Sequence, residues 1–87
     1  MTITDPEIRE ILAGLVAVVE REREGLFDSN KVLCEDAPDF GSVTDPEVAI
    51  DIALMDSLVA AGKVAIEELD RRAAALAELR AAGGALA

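Results

Sequence analysis

The chain has 87 residues and a formal net charge of −10, with 18 acids against 8 bases and no histidine. That length supports one small domain, which buries only a modest share of the surface its unfolded form exposes. The charge balance argues against direct nucleic-acid binding, which draws its affinity from clustered Lys and Arg. The lack of histidine removes Ser-His-Asp and Cys-His nucleophile arrangements together with histidine metal sites.

Hydrophobic residues make up 52% of the composition, yet Phe27 and Phe40 are the only aromatics. A core must therefore be built from Ala, Val, Leu and Ile, and self-association is the expected source of the missing burial. The acidic excess keeps an apolar protein soluble, or it marks a basic partner. One cysteine, Cys34, forms no internal disulfide, which fits a reducing compartment.

Residues Met1 to Glu10 carry acids where a signal peptide carries positive charge, and the apolar run Leu12 to Val19 is short. The expected location is cytoplasmic or within an assembled particle, with no signal peptide. Thr4-Asp5-Pro6-Glu7 reads as a helix start. Either Asp5 caps with Pro6 at the first helical position, or Thr4 caps with Glu7 closing a capping box. From there Ile8, Ile11, Leu12, Leu15, Val16, Val18 and Val19 fall on one side of a helical wheel, so this helix, expected over about 6–24, lies against something. The alternating run Glu20 to Glu24 suits a solvated final turn, and Gly25 followed by Leu26 suits a left-handed cap.

Residues 25–45 show no sustained period and read as an acidic connector, anchored through Phe27 and Phe40. Within it, Asn30 to Ala37 is expected as a short helical turn stopped before Pro38, with a brief extended piece at Val32 to Cys34 as the alternative. Between Glu24 and Glu47 seven acids face one base, Lys31, so this stretch holds −6 of the total charge. Asp28, Glu35, Asp36 and Asp39 are its expected acidic surface. Glu35 and Asp36 disfavour a reactive thiolate at Cys34. Asp28-Ser29-Asn30 opens like a calcium loop but lacks the glycine and the distal glutamate that such a loop requires.

Thr44-Asp45-Pro46-Glu47 repeats the first helix start word for word, as a duplication or as reuse of one capping solution. A long helix is expected from Pro46 to about Ala82, ended by Gly83-Gly84, with a flexible tail over 83–87. Along it Val48, Ile52, Met55, Val59, Gly62, Ile66, Leu69, Ala73 and Leu76 alternate in steps of four and three, the period of a helix-packing seam. Gly62 in mid-helix costs about 1 kcal/mol relative to Ala, so a neighbouring helix is expected to approach closely there. Ile50, Leu54, Leu58 and Val64 lie off the seam and call for further neighbours. Asp51, Asp56 and Lys63 make a membrane span too costly. Asp56 and Lys63 share a face, as inter-chain salt bridges or as a wet side. Glu67 and Glu68 stand four before Arg71 and Arg72, the favourable order for helix ion pairs.

The sequence thus predicts an all-α chain. A short first helix and a long second helix form a hairpin, packed into an oligomeric bundle or coiled coil through Val48, Ile52, Met55, Val59, Gly62, Ile66, Leu69 and Leu76. The expected role is non-enzymatic, with no cofactor or metal: an assembly protein that oligomerises or joins a larger complex, such as a virion accessory or connector subunit. The alternative is an acidic inhibitor or adaptor that occupies a basic, nucleic-acid-binding surface of a partner protein.

Overall fold

The computed structural model describes residues 2–83, which form two helices, α1 (Asp5–Asn30) and α2 (Pro46–Ala82). The tail expected from residue 83 lies, but for Gly83, outside the described residues. The repeated tetrapeptide starts both helices, through a different cap each time. Thr4 caps α1, its hydroxyl accepting from the Glu7 N–H at 3.4 Å and donating to the Glu7 carboxylate at 3.0 Å. Asp45 caps α2 instead, its carboxylate accepting from Glu47 N–H at 2.9 Å and Val48 N–H at 3.5 Å, with Pro46 as the first helical residue.

Helix α1 does not stop at Gly25. It continues to Asn30, whose side-chain amide donates to the Leu26 carbonyl at 2.8 Å, and Lys31 turns extended while its N–H still reaches Phe27 O. The extra turn and a half keeps Phe27 on the face of Arg23, whose guanidinium lies 5.2 Å from the ring centroid. Phe27 therefore belongs to the helix and not to the connector.

The connector opens extended at Lys31 instead of as a helical turn from Asn30, and of the alternative over Val32 to Cys34 only Val32 is paired across the loop. Lys31 and Val43 form an antiparallel bridge; Val32 N–H donates to Ser42 O and Gly41 N–H donates to Val32 O, both at 2.9 Å. Turns over Cys34–Ala37, Ala37–Phe40 and Asp39–Ser42 close this loop. Gly41, at φ +81°, occupies a conformation that L side chains rarely adopt. Phe40 is 54% exposed and does not anchor the loop.

The helices run antiparallel, because ion-pair partners descend along α2 as they ascend along α1: Asp5 with Arg72, Arg9 with Asp70, Glu20 with Lys63 and Arg23 with Asp56. Helix α1 therefore flanks α2 as far as Arg72, and every residue from Arg71 to Ala82 is exposed. The molecule measures 70 × 28 × 15 Å, a single layer of two helices. A single layer has two faces and no interior. Ile52, 8% exposed, is the one buried residue among those described. The accessible surface of 6692 Å² exceeds by about 1,800 Å² what a folded monomer of 9.1 kDa ordinarily shows.

Candidate interaction faces

The seam of α2 packs on the chain's own first helix. Ile52 is buried and Val48, Met55, Val59, Gly62, Ile66 and Leu69 are half-buried, whereas Leu76, past the start of α1, is exposed. The close approach at Gly62 comes from α1: a Cβ placed there would stand 2.5 Å from Val16 Cγ2 and 4.0 Å from Val16 Cβ. These residues build the hairpin, so the surfaces left for other molecules lie to either side of them.

One side is charged. Going round α2 from Val59 toward Asp56 and Lys63, and round α1 toward Glu20 and Glu24, leads to an open groove of about 470 Å³. Arg23 Nε donates to Asp56 at 3.0 Å and Lys63 Nζ lies 3.4 Å from Glu20 across it. Asp56 and Lys63 are thus committed to the chain's own α1 on a wet side. Farther along, Arg9 grips Asp70 with two hydrogen bonds, Nε to Oδ1 at 2.7 Å and Nη2 to Oδ2 at 3.4 Å. Those hydrogen bonds hold the Asp70 carboxyl below the usual carboxylate range and raise the Arg9 guanidinium. Exposed ion pairs of this kind fix register more than they stabilise.

The other side is apolar. Going round the two helices in the opposite sense, a groove of about 450 Å³ has Gly62, Ala61 and Ala65 of α2 beside Val16, between rims formed by Leu12, Leu15 and Leu58. No ionisable side chain lines it. Leu15 is 57% and Leu58 62% exposed, and Ile11, Val18 and Leu54 extend the apolar surface outward from the groove. Monomeric proteins rarely leave such a continuous patch open to water.

Leu54 and Leu58, which lie off the seam and call for further neighbours, stand on this side, but the seam period does not single out Leu12, Leu15, Val16, Ala61 and Ala65 as their companions. The groove's signal was present in α1, whose seven large apolar residues span more of the wheel than one neighbour covers: Leu12, Val16 and Val19 are half-buried while Ile11, Leu15 and Val18 are exposed. Of the expected acidic surface, Asp28 belongs to the last turn of α1 and not to the connector, whereas Glu35, Asp36 and Asp39 are in the connector; all four are exposed, as is Cys34, and Lys31 reaches Asp28 at 3.3 Å. The structure brings no three His, Cys, Asp or Glu side chains into a metal-holding group among the described residues. No described helix is long and apolar enough to cross a membrane. Compared with known proteins, the chain matches no family model, no curated protein and no solved structure.

Proposed function

We propose that this chain is a non-enzymatic assembly protein, a helical hairpin that joins a larger structure by covering its apolar face. The observation that carries the reading is the groove beside Gly62 and Val16, free of ionisable side chains and continuous with exposed Ile11, Leu15, Val18, Leu54 and Leu58. At about 25 cal/mol per Å², withdrawing several hundred Å² of such surface from water is a sufficient driving force for association. A small subunit of a particle or multi-protein complex, such as a virion accessory or connector subunit, has this economy of construction. Within such an assembly the exposed acids of the connector face outward.

A second reading rests on the charge concentrated between Glu24 and Glu47: an acidic adaptor or inhibitor whose exposed Asp28, Glu35, Asp36 and Asp39 engage a basic, nucleic-acid-binding surface of a partner protein. Salt separates the two. Complexes held by the apolar face persist as ionic strength rises, whereas complexes held by the connector dissociate steeply. The deciding experiment measures the mass of native complexes in low and high salt, with Leu58→Asp and a connector variant, Asp36→Asn with Asp39→Asn, as the two arms. Loss of assembly with the connector variant alone, together with steep salt sensitivity, overturns the first reading in favour of the second.

A further inference from the structure

Resting on that assembly reading, we infer that the apolar face is covered by a second copy of the same chain, face to face across a two-fold axis, to make a four-helix bundle. Three observations select this occupant. First, width: Ile11 and Val18 extend the exposed surface on α1 while Leu54 extends it on α2. One foreign helix, about 10 Å across, fills the groove and leaves those flanks wet. A second hairpin supplies two helices side by side and covers both.

Second, self-complementarity. A two-fold interface uses the same patch twice, so it must contain its own projections and its own recess. Here Leu15 and Leu58 project as rims beside the small residues Ala61, Gly62 and Ala65. The recess and its rims lie near the middle of α1, at Val16, and near the middle of α2, at Gly62, so an axis passing between rim and recess seats the rims of each copy in the recess of the other and aligns the two along most of their length.

Third, area. The excess of about 1,800 Å² over an ordinary monomer is spread over the whole thin hairpin, and it leaves room to bury the roughly 800 Å² per partner of a stable interface while the outer surfaces stay wet. The charged groove then faces water on both outer surfaces, which suits a pair carrying −10 on each chain.

The experiment measures the solution mass of the full chain by sedimentation equilibrium over a wide concentration series, in low and high salt. The expected mass is twice 9.1 kDa, unchanged or favoured by salt, because screening relieves like-charge repulsion. Leu58→Asp places a carboxylate on the face twice per pair and is expected to weaken association by about 100-fold or more. Leu58 is exposed in the single hairpin, and circular dichroism reports whether the variant keeps its helices.

A measurement independent of that variant uses spin labels at Ala61→Cys or Lys63→Cys, each in a Cys34→Ser background. Ala61 lines the apolar groove and Lys63 the charged one, so the inter-copy distance is expected to be longer for Lys63 by at least about 10 Å, one helix diameter. A single copy at every concentration, or more than two copies, overturns the inference. A pair with the Lys63 labels closer overturns the choice of face and leaves assembly standing. A single copy that captures a foreign helix in the groove overturns self-pairing while the proposed assembly role survives.

Discussion

Replacing Gly62 with Ala sets two effects of known sign against each other. Ala is favoured over Gly in a helix interior by about 1 kcal/mol. Against this, the new Cβ would stand 2.5 Å from Val16 Cγ2, where carbon atoms pack at about 3.5–4.0 Å. Val16 is β-branched and stiff about χ1, so relief requires its backbone or the helix spacing to yield by about 1 Å, and overpacking of this kind costs about 1–3 kcal/mol. Gly62→Ala is therefore expected to destabilise by about 1 kcal/mol net, lowering the melting temperature by about 4–8 °C for a chain of this size. Val16→Ala reverses the sign. It removes both γ-methyls and leaves the Val16 Cβ position 4.0 Å from the added methyl, an ordinary contact. In that background Gly62→Ala is expected to stabilise by about 1 kcal/mol, giving a coupling of about 2 kcal/mol in a double-mutant cycle. Urea unfolding followed by circular dichroism, at one fixed protein concentration, measures all four corners. If Gly62→Ala stabilises equally in both backgrounds, α1 and α2 do not meet at this point and the packing described above is wrong.

Gly25→Ala is expected to stabilise by about 1 kcal/mol, since nothing lies within 4 Å of the added methyl and the residue is mid-helix; a loss in thermal melting would restore a helix end at that position. Gly41→Ala is expected to cost about 1 kcal/mol despite equal room, because its φ of +81° strains any L side chain, and an unchanged melt would refute the loop geometry. Asp45→Ala removes two hydrogen bonds at the start of α2 and is expected to cost about 1 kcal/mol, read as a lowered urea midpoint. Because Arg9 holds the Asp70 carboxyl below its usual range, that pair stabilises the fold above the ordinary carboxylate range, and its contribution is lost as pH falls through the depressed value. The stability difference between the native chain and Asp70→Asn is therefore expected at neutral pH and should vanish in acid. A difference that persists unchanged into acid would show that the ion pair is not its source.

Both helix starts were legible because each carries its own mechanism in four residues, although the sequence left the first cap open between Thr4 and Asp5, and the structure uses one of each kind. The seam was legible as a period, and Gly62 as a point of close approach. What the period does not contain is the identity of the neighbour. Steps of three and four look the same whether the facing helix is α1 or another chain, and here the ion pairs from Arg9, Glu20 and Arg23 settle it for α1. The end of α1 is not legible in the sequence, because a glycine followed by a leucine suits a cap and an exposed helix interior alike, and the choice falls to interactions at Phe27 and Asn30 that a local pattern does not weigh. Phe40, expected as an anchor of the connector, is 54% exposed, because its place in the turn leaves no helix face beside it to pack on.

The thinness of the molecule has a calorimetric consequence. Heat capacity of unfolding follows the apolar area newly wetted, and a lone hairpin with Ile52 as its single enclosed side chain among the described residues has little such area left to wet. Taken alone, it should melt gradually and with a shallow heat-absorption peak, whereas any companion seated on the oily side would make the transition steep. Where a second copy is that companion, sharpness of melting is borrowed, and dilution acts as a denaturant.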